Sequence, residues 1–276
     1  MNNPEHLFNN AVKVLDSAGF ESPVSDTRRL LNHCLGNDHV NNPNLLMVDN
    51  YIGQIFNFAI RRRLSYEPIS HIVGYRDFWK SRFFVDQSVL DPRPETELIV
   101  DLVRKIPSLK LSVLDLGTGT GCLAVSIALE KPDFKILASD ISSDAIRVAK
   151  LNAKKLGAKV EFVQSDWFSN INQKFDIIVS NPPYVCDSDM SSLPISIQRF
   201  EPRLALEAGR NGLDSIKEIA FKLNKYLNPK GVGIFEIGND QQEMIKDLFN
   251  ECGFNQVDFH VDLEHKNRVV CVKKDA

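Results

Sequence analysis

The sequence predicts an α/β protein: a doubly wound, mostly parallel seven-stranded sheet preceded by a small helical bundle. From residue 92 onward, apolar strand segments alternate with helical segments of ten or more residues, as is typical of a parallel sheet covered on both faces. The last two strands are separated only by Asp262–Asn267, which leaves no room for a helix. We therefore expect these two strands to be antiparallel neighbours.

The elements of the sheet domain, placed at residues 92–276, follow from this alternation. The predicted strands are Ser112–Leu116, Lys135–Ser139, Val160–Gln164, Asp176–Ser180 and Val232–Ile237, with two more near Gln256–Val261 and Val269–Val272. The predicted helices include Cys122–Glu130, Ser142–Leu156, Leu213–Leu227 and Gln241–Cys252.

The first third of the chain reads as a helical domain over residues 1–75. Apolar residues recur three and four positions apart over Glu5–Phe20, which places them on one helix face. A second helix is predicted from a cap at Ser25 or Asp26 to Gly36, and a third from Ile52 to Leu64. Between residues 69 and 90 the helical period is lost and aromatic residues predict short strands, so residues 76–91 are expected to form a hairpin connector.

Composition narrows the function classes. The net charge of −3 argues against an extended nucleic-acid footprint, and we interpret the run Arg61–Arg63 as a solvated helix face. The five scattered cysteines argue against a disulfide framework or a zinc site and favour a reducing compartment. The sequence contains no apolar stretch of about 20 residues and no leader-like start, so we expect a cytoplasmic protein without a membrane span.

A glycine-rich turn follows the first predicted strand of the sheet. Gly117, Thr118, Gly119, Thr120 and Gly121 form a G-x-G-x-G pattern, in which glycines allow the backbone to approach a ligand closely. The carboxyl end of a central strand is where doubly wound sheets bind ligands. The pattern alone is a weak signal, and an ordinary strand–helix turn is the alternative.

Two further strand ends strengthen the prediction of a cofactor site. Asp140 ends the second strand and can accept hydrogen bonds from ribose hydroxyls, although it could instead cap the following helix. Trp167, beside Asp166 after the third strand, can stack on adenine, or it could simply be part of the core. Together they favour S-adenosylmethionine. A nicotinamide cofactor fits less well, because the dinucleotide pattern would need a differently placed third glycine.

The fourth predicted strand is followed by Asn181, Pro182, Pro183 and Tyr184. Prolines have no N–H, so their carbonyl oxygens and that of Asn181 form a rim of acceptors suited to a planar NH₂ group, on which Tyr184 can stack. Such a rim can orient an amide nitrogen for methyl transfer without a metal or a strong base. The sequence offers no convincing metal cluster, and an ordinary Pro-Pro turn is the alternative interpretation of the tetrapeptide.

These motifs resemble those of the release factor glutamine methyltransferases. The resemblance covers most of the chain. Besides residues 115–121 and 181–184, it rests on four further segments. They are 68–74 (Pro-Ile-Ser-His-Ile-Val-Gly), 89–97 (Val-Leu-Asp-Pro-Arg-Pro-Glu-Thr-Glu), 200–202 (Phe-Glu-Pro) and 236–238 (Glu-Ile-Gly). The resemblance implies a Rossmann-like class I methyltransferase fold.

The resemblance also implies a function. Family members transfer a methyl group from S-adenosylmethionine to the side-chain amide (N5) of the glutamine in the Gly-Gly-Gln motif of peptide chain release factors. By resemblance, residues 117–121, Asp140, Trp167 and Asn181 would contact the cofactor, and residues 181–184 would hold the glutamine. The helical domain would dock the release factor, and we expect a monomer. Asp91, Ala208 and Asn211 depart from the family pattern, which bears on substrate docking.

Two other functions remain open from the sequence. An enzyme that methylates exocyclic amino groups of DNA or RNA bases would use the same acceptor rim. A cofactor-binding subunit that only scaffolds a partner would need no acceptor rim, so the intact residues 181–184 argue against it.

Overall fold

The computed structural model describes residues 4–36, 50–107 and 110–275, which form two compact units. The first unit is Met1–Tyr75 with Pro194–Phe200, and the second is Arg76–Leu193 with Glu201–Ala276. Over the described residues, no helix combines the length and the apolar character needed to cross a membrane.

The first unit is helical, as predicted. Its helices are α1 (Pro4–Ser17), α2 (Pro23–Cys34), α3 (Asn50–Leu64) and α4 (Ile69–Val73), and it also includes the later helix Ile195–Phe200. Leu15, Leu30 and Phe56, one from each of the first three helices, are fully buried in a common core. The apolar stripe seen in the sequence is therefore what holds these helices together.

Two predictions for this unit were wrong in detail. The second helix begins at Pro23, after Ser22, because proline is well tolerated at the first helical position; Asp26 lies inside the helix instead of capping it. Residues Ile69–Val73 form a helix and not a strand, ended by Gly74 in the left-handed conformation. A five-residue apolar stretch is too short for its period to distinguish the two structures.

The arginine run is only partly solvated, which corrects the prediction of a solvated face. Arg61 is exposed, but Arg62 donates two hydrogen bonds to the carboxylate of Glu67, at 2.8 and 2.5 Å. Arg63 donates to Asp26 at 2.8 Å. These two arginines therefore tie helix α3 to neighbouring segments of the same unit.

The second unit begins with a two-stranded sheet and continues as an alternating α/β domain. The paired strands β1 (Tyr75–Phe78) and β2 (Ser81–Phe84) confirm the predicted hairpin. The elements that follow are α5 (Glu97–Arg104), β3 (Ser112–Leu116), α6 (Cys122–Glu130), β4 (Lys135–Asp140), α7 (Ser143–Leu156), β5 (Glu161–Gln164), β6 (Phe175–Ser180), α8 (Ile195–Phe200, grouped with the first unit), α9 (Asp214–Tyr226), β7 (Leu227–Glu236), α10 (Gln242–Glu251), β8 (Gln256–Val261) and β9 (Asn267–Lys273).

The sheet has seven strands in the order β5-β4-β3-β6-β7-β9-β8. All neighbours are parallel except β9, which runs antiparallel to β7 and to β8. Both the mostly parallel sheet and the antiparallel final pair are confirmed. Strand β7 starts five residues earlier than predicted, because its pairing with β6 continues past Pro229 and Gly231 through a register shift.

Two apolar layers cover the sheet. Helices α5 and α6 contribute residues such as Val100 and Val125 to one core cluster, and helices α9 and α10 contribute residues such as Leu223 and Phe249 to the other. Chain order reverses between β3 and β6: β4 and β5 follow outward from β3 on one side, and β7 follows β6 on the other. A crevice is expected at this switch point, beyond the carboxyl ends of these two strands.

Candidate active site

The strand register brings the predicted cofactor and catalytic motifs together. Leu116 pairs with Ser180, and the Ser180 hydroxyl donates to the Leu116 carbonyl at 2.6 Å. Gly117 and Asn181 are the next residues on these two adjacent parallel strands. The glycine-rich turn and the Asn-Pro-Pro-Tyr segment therefore begin side by side at the switch point.

Gly117 and Gly119 form the part of the turn that faces a cavity. Gly119 has a φ of +54°, and a Cβ atom built there meets no described atom within 4 Å. At Gly117 (φ +67°) a Cβ would lie 3.7 Å from the Trp167 ring. A side chain at either position would therefore take up space in the cavity or against the indole.

The other three residues of the turn face the protein interior. The hydroxyl of Thr118, a buried residue, donates to Asp115 at 2.6 Å, and that of Thr120 accepts from the Cys122 backbone at 3.3 Å. At Gly121 (φ +80°) a Cβ would lie 3.1 Å from the Cβ of Ala149, on helix α7. This glycine permits close packing, so the structure provides a structural reason for three of the five turn residues that were predicted to bind cofactor.

Asp140 lies at the end of β4 and lines the same cavity. Its Oδ2 accepts from the Gly119 N–H and its Oδ1 from the Ser142 N–H, both at 2.9 Å. Burial raises the pKa of this carboxyl. The N-cap of α7 is Ser142, whose hydroxyl accepts from the Ala145 N–H. Asp140 is therefore not the cap of this helix.

Trp167 also lines the cavity, and its indole ring lies next to Gly117. It is half-buried against the apolar core, and its backbone has a φ of +41°, in the left-handed region that costs non-glycine residues free energy. Asp166 beside it is exposed and also lines the cavity. The two proposals for Trp167, core packing and ligand stacking, are thus both compatible with its position.

The four residues after β6 divide into two pairs. Asn181 and Pro183 line the cavity. Pro182 is buried, and Tyr184 directs its hydroxyl to Glu236 at 3.3 Å. Burial raises the pKa of Tyr184, so its hydroxyl stays protonated. Stacking of Tyr184 on a substrate amide remains a prediction.

Thr96 and Glu236 contact the site through Asn181, and neither had a role predicted from the sequence. The Asn181 amide Nδ2 donates to the Thr96 hydroxyl at 3.1 Å, and that hydroxyl donates to Glu236 Oε2 at 2.5 Å. Glu236 ends β7, one position beyond Phe235, which pairs with Ser180. An acidic residue at the end of β7, the strand beside β6, was the available signal.

Two buried carboxyls of the domain, Glu236 and Asp115, have strongly raised pKa values. Burial raises the pKa of Glu236 to about 7, against the opposing hydrogen bond from Thr96 and the charge of Arg268. Burial likewise raises the pKa of Asp115 to about 7, although Thr118 and the Ala124 N–H donate to it. Over the residues described, no group of three or more His, Cys, Asp or Glu side chains could hold a metal ion.

One cavity joins the two halves of the site. Its wall combines four of the predicted cofactor residues (Gly117, Gly119, Asp140 and Trp167) with Asn181 and Pro183 of the predicted acceptor rim. Residues 88–90 and the segment Pro202, Leu204, Ala205 and Glu207 complete it. The open space at Gly119 and the carboxylates of Asp140 and Asp166 fit a cationic nucleoside such as S-adenosylmethionine, which offers hydroxyl, amino and sulfonium groups to such acceptors.

Comparisons with known proteins agree with this arrangement. Residues 6–74 match the model of the PrmC N-terminal domain, and residues 91–196 match that of the methyltransferase small domain. In overall fold the chain is similar to the 16S rRNA N2 G1207 methyltransferase of T. thermophilus in complex with AdoMet and guanosine. The TM-score is 0.54 at 17% identity, covering 72% of this chain and 49% of that one.

Two groups of relatives cover almost the whole chain. A bifunctional methyltransferase of Rickettsia typhi is 34% identical over 96% of this chain, which spans only 56% of that protein's length. The release factor glutamine methyltransferase of Cereibacter sphaeroides is 36% identical over 96% of both chains. The resemblance seen in the sequence motifs is therefore confirmed, and the chain belongs to the release factor glutamine methyltransferase family.

Proposed function

We propose that this protein transfers the methyl group of S-adenosylmethionine to the side-chain amide nitrogen of the glutamine in the Gly-Gly-Gln motif of peptide chain release factors. Membership of the family supports the reaction and its substrate. The proposal depends above all on one cavity whose wall includes Gly119 and Asp140 together with Asn181 and Pro183. Donor and acceptor can meet only if their sites are continuous.

On the donor side, backbone and carboxylate groups would bind the cofactor. Gly117 and Gly119 would let the chain approach it, Asp140 would accept from the ribose hydroxyls, and Trp167 would lie against the adenine. Thr118, Thr120 and Gly121 would act by fixing the shape of the turn. S-adenosylmethionine would supply an electrophilic methyl group on its sulfonium.

On the acceptor side, oxygen atoms would hold the glutamine amide. The side-chain oxygen of Asn181 and the carbonyl oxygens of Pro182 and Pro183 would accept from the two N–H bonds, with Tyr184 beside the plane of the amide. An amide nitrogen is a poor nucleophile, and positioning of this kind can supply about 7–11 kcal/mol of the barrier reduction. The same acceptors would stabilise the positive charge that develops on nitrogen during transfer.

We further propose that the helical unit, residues 1–75, docks the release factor, and that the enzyme works as a cytoplasmic monomer without binding nucleic acid. The net charge of −3 and the five free cysteines support the last two points. Size-exclusion chromatography with light scattering tests the oligomeric state, and a second copy in the eluted particle would contradict it.

A methyl-transfer assay tests the proposed function directly. Release factor and ribosomal RNA are offered separately with cofactor carrying a radioactive methyl group, and the labelled product is mapped by mass spectrometry. We expect label only on the glutamine of the Gly-Gly-Gln motif. Label in the RNA alone would favour a base methyltransferase, and no label in either, despite cofactor binding, would favour a scaffold subunit.

A further inference from the structure

Three side chains from distant parts of the second unit form a chain of hydrogen bonds that ends at the acceptor rim. Asn181 Nδ2 donates to Thr96 Oγ1 at 3.1 Å, and Thr96 Oγ1 donates to Glu236 Oε2 at 2.5 Å. Thr96 is 2% exposed and Glu236 is 1% exposed, so water does not compete for these bonds. We call this chain the relay.

The direction of the relay determines which end of the Asn181 amide faces the cavity. An ionised Glu236 has acceptor atoms only, so the hydrogen of the Thr96 hydroxyl must point to it. The hydroxyl then offers a lone pair to Asn181, which binds it with the NH₂ group. The carbonyl oxygen of Asn181 is left for a donor in the cavity.

A neutral Glu236 would remove this constraint. Its proton could be donated to Thr96, whose own hydrogen could then bond to the oxygen of Asn181. The amide would turn and present its NH₂ group to the NH₂ group of an incoming glutamine. Two donors facing each other cannot form a hydrogen bond, and the acceptor rim would lose its side-chain oxygen.

Burial raises the pKa of Glu236, and neighbouring donors and a cation partly offset this, so that its ionised form is still reached near neutral pH. The Tyr184 hydroxyl donates to Glu236 Oε1 at 3.3 Å, so each carboxylate oxygen has a donor. The charge of Arg268 stabilises the carboxylate, whereas that of Glu95 and burial oppose ionisation, and together they leave the pKa at about 7.

We propose that Thr96 and Glu236 are positioning residues of the methyl-transfer reaction, which act through Asn181 by keeping its side-chain oxygen turned toward the substrate amide. This inference rests on the proposed function and extends it to two residues outside the Asn-Pro-Pro-Tyr segment. Neither residue touches the reacting atoms in this account.

Paired substitutions at Thr96 separate the hydroxyl from the shape of the side chain. Thr96→Val keeps the shape and loses the hydroxyl, and we expect its single-turnover rate on saturating release factor to fall about 10- to 100-fold. Thr96→Ser keeps the hydroxyl and should stay within about threefold of the wild type. The Kd for S-adenosylmethionine should be unchanged in both.

A matched control tests the loss of a buried hydroxyl outside the relay. Ser126 lies in α6, is 1% exposed, and its hydroxyl has no hydrogen-bond partner within the described part of the chain. Ser126→Ala should keep the wild-type rate. A loss in this variant equal to that of Thr96→Val would overturn the proposal, because burial alone would then explain the effect.

The dependence of the rate on pH supplies a readout that a merely structural role would not change. Between about pH 5.5 and 8.5, the wild-type single-turnover rate should rise with an apparent pKa near that of Glu236. Glu236→Gln should be slower, about 10-fold or more at the upper end, and should lose this dependence. Neither change requires altered cofactor binding.

The following outcomes would overturn the positioning role of Thr96 and Glu236. Equal rates for Thr96→Val and the wild type, or an equal loss in Thr96→Ser and Thr96→Val, would overturn the relay. If Thr96→Val does not fold, the pH profile decides: a flat wild-type profile, or a Glu236→Gln profile like that of the wild type, overturns it. A wild-type enzyme that leaves the release factor unmethylated contradicts the proposed function instead.

Discussion

The two halves of the site are built by different means. The donor half is formed by backbone: Gly117 and Gly119 in left-handed conformations, held by the Gly119 N–H donating to Asp140. The acceptor half depends on side chains, since Asn181 is oriented through Thr96 and Glu236 from segments 85 and 55 residues away. The comparison teaches that a glycine pattern can report one half of a site, whereas the other half emerges only from tertiary contacts.

The largest effect expected to separate the halves is that of Asn181→Ala. Removal of the side-chain oxygen should lower the methyl-transfer rate by about 100- to 1000-fold, the scale at which single transition-state hydrogen bonds act. The Kd for S-adenosylmethionine, measured by calorimetry, should change by less than about threefold. A variant that transfers methyl groups at the wild-type rate would show that Asn181 has no part in holding the amide.

Gly119→Ala should act on the donor half instead. Its Cβ would enter open cavity space, so we expect the Kd for S-adenosylmethionine to rise about tenfold or more, or at least 1.4 kcal/mol. Gly157→Ala is the matched control: its φ is +71°, and its Cβ would likewise meet nothing in the described part of the chain. Both variants should lose about 1–2 kcal/mol of folding stability. Only Gly119→Ala should bind S-adenosylmethionine more weakly.

Gly121→Ala should lower the stability of the fold more than the affinity for S-adenosylmethionine. Its Cβ would lie 3.1 and 3.2 Å from the Cβ and Cα of Ala149, at a φ of +80°. Overpacking of this kind costs about 1–3 kcal/mol, in addition to the left-handed conformation. Urea denaturation should show the loss, while cofactor affinity of the folded protein changes less than in Gly119→Ala. The opposite order of affinities would place Gly121 in direct contact with the ligand.

A separate effect, on folding and not on transfer, concerns the dependence of stability on pH. The pKa of Asp115 rises from 3.8 to about 7 on folding, so its contribution to stability is complete below 3.8 and is lost as the pH rises through 7. The pKa of Glu236 rises in the same way, from 4.5 to about 7, so its contribution to stability is also lost as the pH rises through 7. The unfolding free energy should therefore fall with rising pH in this window, by on the order of 1 kcal/mol per unit for each carboxyl.

Asp115→Asn should reduce this pH dependence, since one of the buried carboxyls with a raised pKa is removed. Denaturation curves recorded across the window measure the slope, with substitution of the exposed Asp258 by Asn as the control. An undiminished slope in Asp115→Asn would mean that Asp115 is ionised in the folded protein across the window.

Most of the fold could be predicted from the sequence, because its strands are short, apolar and clearly bounded. Strand β3 was placed at Ser112–Leu116, its observed bounds, since a glycine-rich turn follows it. Strand β7 was predicted too short, because Pro229 and Gly231 disfavour a strand and only pairing with β6 overrides them. The helix Ile69–Val73 was missed because five residues carry no decisive period.

The site was predictable only where local geometry requires a particular residue. Gly119 and Asn181 were singled out because a turn and a strand end mark them, and both line the cavity, but the pattern could not distinguish Gly119 from Gly121. That distinction depends on Ala149, which approaches one of them in the fold. The relay was out of reach for the same reason: the acid at the end of β7 is visible in the sequence, but only the fold brings it and Thr96 to Asn181.

We propose that Asn181 and its proline neighbours hold a glutamine amide next to the donor methyl group. A crystal structure with S-adenosylhomocysteine and a release factor bound tests it most directly. We expect the glutamine side-chain nitrogen within hydrogen-bond distance, about 3 Å, of the Asn181 oxygen, facing the cofactor sulfur. A glutamine bound away from Asn181, or with its oxygen in place of its nitrogen, would contradict the account.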